Sequence, residues 1–92
     1  MPKAYWIAHV TVTNPDQYKH YASDAPIAFK KYGATILARG GTHQQMEGGG
    51  RPRNVVIEFP SLQSALDCYN SAEYQAARAR RAEAGEADIV IV

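Results

Sequence analysis

Between Ala4 and Thr13 every second residue is apolar, and that alternation constrains the fold more than any other feature of the chain. Trp6, Ala8, Val10 and Val12 fall on one side of an extended segment, and Tyr5, Ile7, His9 and Thr11 on the other. The wholly apolar side calls for a cover of helices. The mixed side points to an interior that is not purely apolar.

The segments that follow supply those helices and further strands. Asn14-Pro15-Asp16 starts a helix: Asn14 caps it, Pro15 suits its first position and Asp16 suits the positive end of its dipole. Tyr18, Tyr21, Ala22, Ala25, Ala28, Phe29 and Tyr32 recur at helical spacing up to Gly33, which stops the run. Pro26 predicts a bend or a restart between Ser23 and Pro26, with Ser23 or Asp24 as the new cap. Ala34 to Arg39 reads as a second strand, which reaches Met46 if Gly40-Gly41 forms a bulge. Gly48-Gly49-Gly50 supplies a hairpin tip. Arg53 to Phe59 is a third strand, with Val55, Ile57 and Phe59 on one side and Asn54, Val56 and Glu58 on the other. Pro60-Ser61 ends it and caps a helix whose buried stripe is Leu62, Ala65, Leu66 and Tyr69. Ser71 caps a further helix from Ala72 to about Ala84. Gly85 closes that helix, and Asp88 to Val92 is a short last strand.

The order is βαββαβ, the split βαβ pattern of a ferredoxin-like α+β fold. It predicts a four-stranded antiparallel sheet with helices on one face. Tyr5, Ile7, Leu37 and Val56 are left on the other face, and a second copy of the sheet is their natural cover. The chain is therefore expected to pair with a copy of itself. With 92 residues it is expected to be one domain, spanning 1–92, that buries only roughly 60–65% of its unfolded surface. A partner would bury what so thin a core cannot.

Charge and composition narrow the partners. A net charge of +1 gives no field for nucleic acid and no pull toward an anionic membrane. Arg78, Arg80 and Arg81 read as a solvated helix face among acidic neighbours. No apolar run is long enough to span a bilayer. Met1-Pro2-Lys3 leads straight into a strand, so no signal peptide is expected. Cys68 is the lone cysteine, which fits a reducing cytoplasm and makes no thiolate metal site. His9, His20 and His43 lie on different elements without ligand spacing, and the triple glycine lacks the residues of a phosphate loop. Neither a metal nor a cofactor is expected.

Tyr5-Trp6-Ile7-Ala8, Asn14-Pro15, Tyr32-Gly33, Arg39-Gly40-Gly41, the run from Arg51 to Pro60, and Tyr69-Asn70-Ser71-Ala72-Glu73-Tyr74-Gln75 together resemble the domain-of-unknown-function family 1330. The resemblance covers nearly the whole chain. It implies a dimeric α+β barrel, two ferredoxin-like units packed sheet against sheet, and it brings no reaction and no catalytic residue with it.

Chemistry on the barrel side rests on four residues. His9, Asn54 and Glu58 face the barrel by strand alternation. Arg39 joins them if the hairpin folds about Gly49, which brings it near Glu58. His9 could move a proton, Arg39 could hold a carboxylate or phosphate, and Glu58 could orient His9 or act as a base. The same groups could instead satisfy only one another. Three readings stay open: a homodimer binding a small polar or anionic compound, a cofactor-free oxygenase- or isomerase-like enzyme, and a structural dimer with an inert interior.

Overall fold

A computed structural model describes residues 2–92. Its elements run β1 (Ala4–Val12), α1 (Pro15–Lys31), β2 (Thr35–Arg39), β3 (Arg53–Phe59), α2 (Leu62–Asn70), α3 (Ala72–Ala82) and β4 (Gly85–Ile91). The four strands form one antiparallel sheet in the order β2-β3-β1-β4. This is the expected ferredoxin-like arrangement, with the second helical segment divided in two.

The local signals account for most boundaries. The Asn14 side chain accepts from the Gln17 N–H at 3.1 Å, with Pro15 at the first helical position. Gly33, at φ 77°, turns the chain out of α1 where a side chain would be strained. Ser71 makes the α2–α3 junction: its hydroxyl donates to the Cys68 carbonyl at 2.7 Å and accepts from the Tyr74 N–H at 3.1 Å. One side chain thereby satisfies an orphan acceptor of one helix and an orphan donor of the next.

Four expectations need correction. α1 continues through Pro26 with no restart. Pro26 has no N–H to offer the Ala22 carbonyl, but the flanking turns and the packing of Ala25, Ala28 and Phe29 hold the helix together. β2 stops at Arg39, because Gly40 and Gly41 take positive φ of 66° and 83° and turn the chain away. On α2 the buried stripe is Ala65 and Cys68, both at 0% exposure, whereas Leu62 and Leu66 are exposed. The last strand begins at Gly85 rather than Asp88, since Gly85 already pairs with Val12.

The core lies between the sheet and the helices, around Trp6. Its ring meets Phe29 edge-on at 5.2 Å and Tyr74 at 4.8 Å, and stacks with Phe59 at 6.0 Å. α1 and α3 run antiparallel, tied by Arg80–Asp24 at 3.2 Å and by a Lys31–Glu73 ion pair. The alternation of β1 is obeyed throughout: Ala4, Trp6, Ala8 and Val10 are buried toward the helices. Tyr5, Ile7, His9 and Thr11 lie half-buried on the open face.

Candidate functional site

The open face of the sheet has an apolar middle and two polar ends. Ala38, Val56, Ile7 and Val90 form one row across all four strands, each opposite the next. At one end Glu58 stands opposite Tyr5 and pairs with Lys3 at 3.1 Å. At the other end His9 lies between Asn54 on β3 and Asp88 on β4.

His9 and Asn54 are joined through Nδ1 and Oδ1 at 2.6 Å. The Asn54 Nδ2 donates to the Arg51 carbonyl at 3.3 Å, which turns its oxygen toward the histidine. His9 then donates from Nδ1, and in the neutral imidazole this puts the lone pair on Nε2. The Arg51 side chain closes this end of the face. Its Nε donates to Asp88 at 2.9 Å, and its Nη1 donates to Thr11 at 2.9 Å and to Glu86 at 3.1 Å. The structure thus brings His9 and Asn54 together. Glu58 shares their face but sits four residues along β3, with its own partner.

Arg39 does not share that face. β2 carries an irregularity between Ile36 and Ala38, so that Leu37 is an extra residue in the ladder. One inserted residue reverses the facing of everything after it. Arg39 stands opposite Val55, and Thr35 rather than Arg39 stands opposite Glu58. Arg39 therefore points to the helix side.

On that side a cavity of about 300 Å³ opens between α1 and the sheet. Trp6, Phe29, Ile57 and Ala25 give it apolar walls, and three arginines, Arg39, Arg53 and Arg81, are among its lining residues. Among the described residues none of the three has a carboxylate within ion-pair distance. Arg81 is only 9% exposed. It lies 5.3 Å from the Tyr21 ring centre, and its Nη1 donates to the Tyr74 hydroxyl at 3.2 Å. Arg53 stands over the Tyr18 ring at 5.4 Å, and its buried Nε has no hydrogen-bond partner. A ring under a cation contributes about 0.5–2 kcal/mol. Removing a charge from water costs several kcal/mol, so the rings offset only part of it.

The reading of the arginines is accordingly corrected. Arg81 belongs to the buried stripe of α3, four residues after Ala77 and seven after Tyr74. Its spacing carried that signal. Arg53 could also have been read from sequence, because it alternates with Val55, Ile57 and Phe59 on the helix side of β3.

Four antiparallel strands, helices on one face and an open face with an apolar middle define a ferredoxin-like α+β domain. The chain belongs to the family described as a domain of unknown function, DUF1330, whose model matches residues 3–92. No curated protein matches it. Among solved structures it is similar to RPA0582, a protein of unknown function from Rhodopseudomonas palustris, with a TM-score of 0.72 and 16% identity over 98% of this chain and 80% of that one. It is also similar to SnoaB, a cofactor-independent oxygenase from Streptomyces nogalater, with a TM-score of 0.71 and 6% identity over 100% and 92% of the two chains. A candidate antibiotic biosynthesis monooxygenase from Nitrosomonas europaea gives a TM-score of 0.67 and 15% identity over 97% and 95%. At these identities the likeness is one of fold.

Proposed function

We propose that this chain is a small-molecule-binding module that works as a homodimer. The open faces of two sheets meet, and a small polar compound sits between them at the His9–Asn54 end. The observation that carries this reading is the fixed histidine. Asn54 and the Arg51 carbonyl lock His9 in the tautomer that leaves Nε2 as an acceptor on an otherwise half-buried face. A ligand hydroxyl or amide N–H supplies the missing donor. Glu58 and Lys3 line the far end of the same interior, and Arg39, on the helix side of the sheet, takes no part in it. Light scattering at micromolar concentration should give about twice the monomer mass. A thermal-shift screen of small polar metabolites should then find a stabilising compound whose effect is lost in Asn54→Leu, which frees the histidine tautomer. A monomeric protein would sink the enclosed site, and an unresponsive dimer would favour a purely structural barrel.

A second reading uses the same atom. Nε2 can take a proton from a bound acid, and SnoaB, described as a cofactor-independent oxygenase, shares this fold. In an enzyme of that kind His9→Gln would abolish turnover and leave binding within a few-fold, whereas in a simple binding module no turnover exists and the same change would weaken binding itself.

A further inference from the structure

The cavity on the helix side of the sheet is a site of a different kind, and it does not depend on pairing between chains. We infer that it binds a small monocarboxylate with a flat apolar body, the carboxylate held by Arg39, Arg53 and Arg81 and the body lying against Trp6 and Phe29.

Three observations converge on this class of ligand. The first is charge. Arg53 and Arg81 are set among rings and apolar side chains with no acidic neighbour within ion-pair distance. Arg39 stands at the mouth on the exposed edge strand. The guanidinium fork is the group best shaped to receive a carboxylate through two parallel hydrogen bonds, and the Arg53 Nε is committed to no partner within the protein.

The second is a hydroxyl pair at the cavity wall that can present a donor to a ligand. The Tyr74 hydroxyl is fully buried and accepts from Arg81. Its oxygen lies 2.9 Å from that of Tyr21, and either hydroxyl of the pair can be the donor. When Tyr74 donates, the Tyr21 O–H is left free, and Tyr21 lines the cavity while Tyr74 does not. Burial raises the pKa of both hydroxyls, so they stay protonated donors at neutral pH. A ligand oxygen beside Tyr21 would select the arrangement in which Arg81 donates to Tyr74, Tyr74 to Tyr21 and Tyr21 to the ligand.

The third is shape. The walls are aromatic and aliphatic, and a volume of about 300 Å³ is at the small end of ligand sites. Ala22 and Ala25 keep α1 thin where it overlies the space. Gly40 leaves room for the Arg53 guanidinium, since a Cβ there would lie 2.7 Å from its Nη1.

The test is a titration of the purified full chain with benzoate, cinnamate and 2-naphthoate, each beside its primary amide, and with inorganic phosphate. At least one acid should raise the unfolding midpoint by several degrees at millimolar concentration, while its amide and phosphate do not. Arg39→Gln and Arg53→Gln should each weaken binding tenfold or more. Tyr21→Phe should weaken it several-fold. Circular dichroism and the unliganded midpoint report whether each variant is folded, and exposed Arg39 gives a variant that does not disturb the core. Equal binding of acid and amide would overturn the carboxylate, and phosphate binding as tightly as the acids would overturn the apolar body. No response to any acid, or undiminished binding in both arginine variants, would overturn the site. None of these readouts involves His9, so the outcome is separate from that of the barrel interior.

Discussion

Cys68 illustrates how burial alone decides what a side chain can do. Its thiol is fully buried beside the α2–α3 junction, and its pKa is pushed from 9.0 up to about 12, first by desolvation and then by the nearby Glu73 charge. A thiol reagent at pH 8 should therefore leave the native protein unmodified and react at once in denaturant. Because the folded value is the raised one, the thiol's contribution to stability is intact below pH 9.0 and is lost as the pH rises toward about 12. An alkaline unfolding titration should show that loss, and Cys68→Ala should remove that part of it. The arginines carry the contrasting lesson. Simple alternation was enough to place His9, Asn54 and Glu58 on the open face, and it also held the position of Arg53. Helical spacing held that of Arg81, masked by its charged neighbours Arg78 and Arg80. Arg39 could not be placed in this way, because its direction depends on an insertion elsewhere in its strand.

At the scale of elements, that insertion is the feature the sequence hid. The glycine pair Gly40-Gly41 pointed to a bulge, yet the ladder slips at Leu37, between two ordinary residues. Nothing local marks such a position; it follows from how β2 must pair with β3 to keep Ile36 over Ile57. Strand and helix starts were legible where a side chain or ring enforces them, as at Asn14, Ser61 and Ser71. Ends set by pairing, such as the start of β4, were not. Gly85 shows why that start is strict. A Cβ there would lie 2.1 Å from the Thr11 carbonyl oxygen, so Gly85→Ala must push β4 away from β1. We expect a loss of about 1–3 kcal/mol in urea denaturation. Pro26 works in the opposite direction. It lies inside α1 and lines the cavity together with Ala22, whose carbonyl it cannot bond. Pro26→Ala restores that hydrogen bond and should raise stability by about 1–3 kcal/mol. Pro26 thus weakens α1 at the point where the helix borders the cavity.

At the scale of the whole molecule, the sheet divides two proposals between its two faces. The row Ala38, Val56, Ile7 and Val90 is apolar, while ion pairs and the His9 network stand at its ends. A two-fold partner would lay its own row across this one, burying the apolar middles together and leaving the polar ends to line what remains between the sheets. An aspartate in the middle of the row would then face the partner's aspartate or its apolar side chains, and either is costly once water is excluded. Val56→Asp should therefore give a monomer by light scattering, and its melting midpoint should be independent of protein concentration, whereas that of a dimeric parent should rise with it. The helix side of β3 presents Val55 and Ile57 instead, so the arginine cavity is untouched by the change. The monomeric variant should bind an aromatic carboxylate within a few-fold of the parent. If the carboxylate site disappeared with the dimer while circular dichroism stayed native, the two faces would be coupled through β3, and the division of labour across the sheet would be refuted.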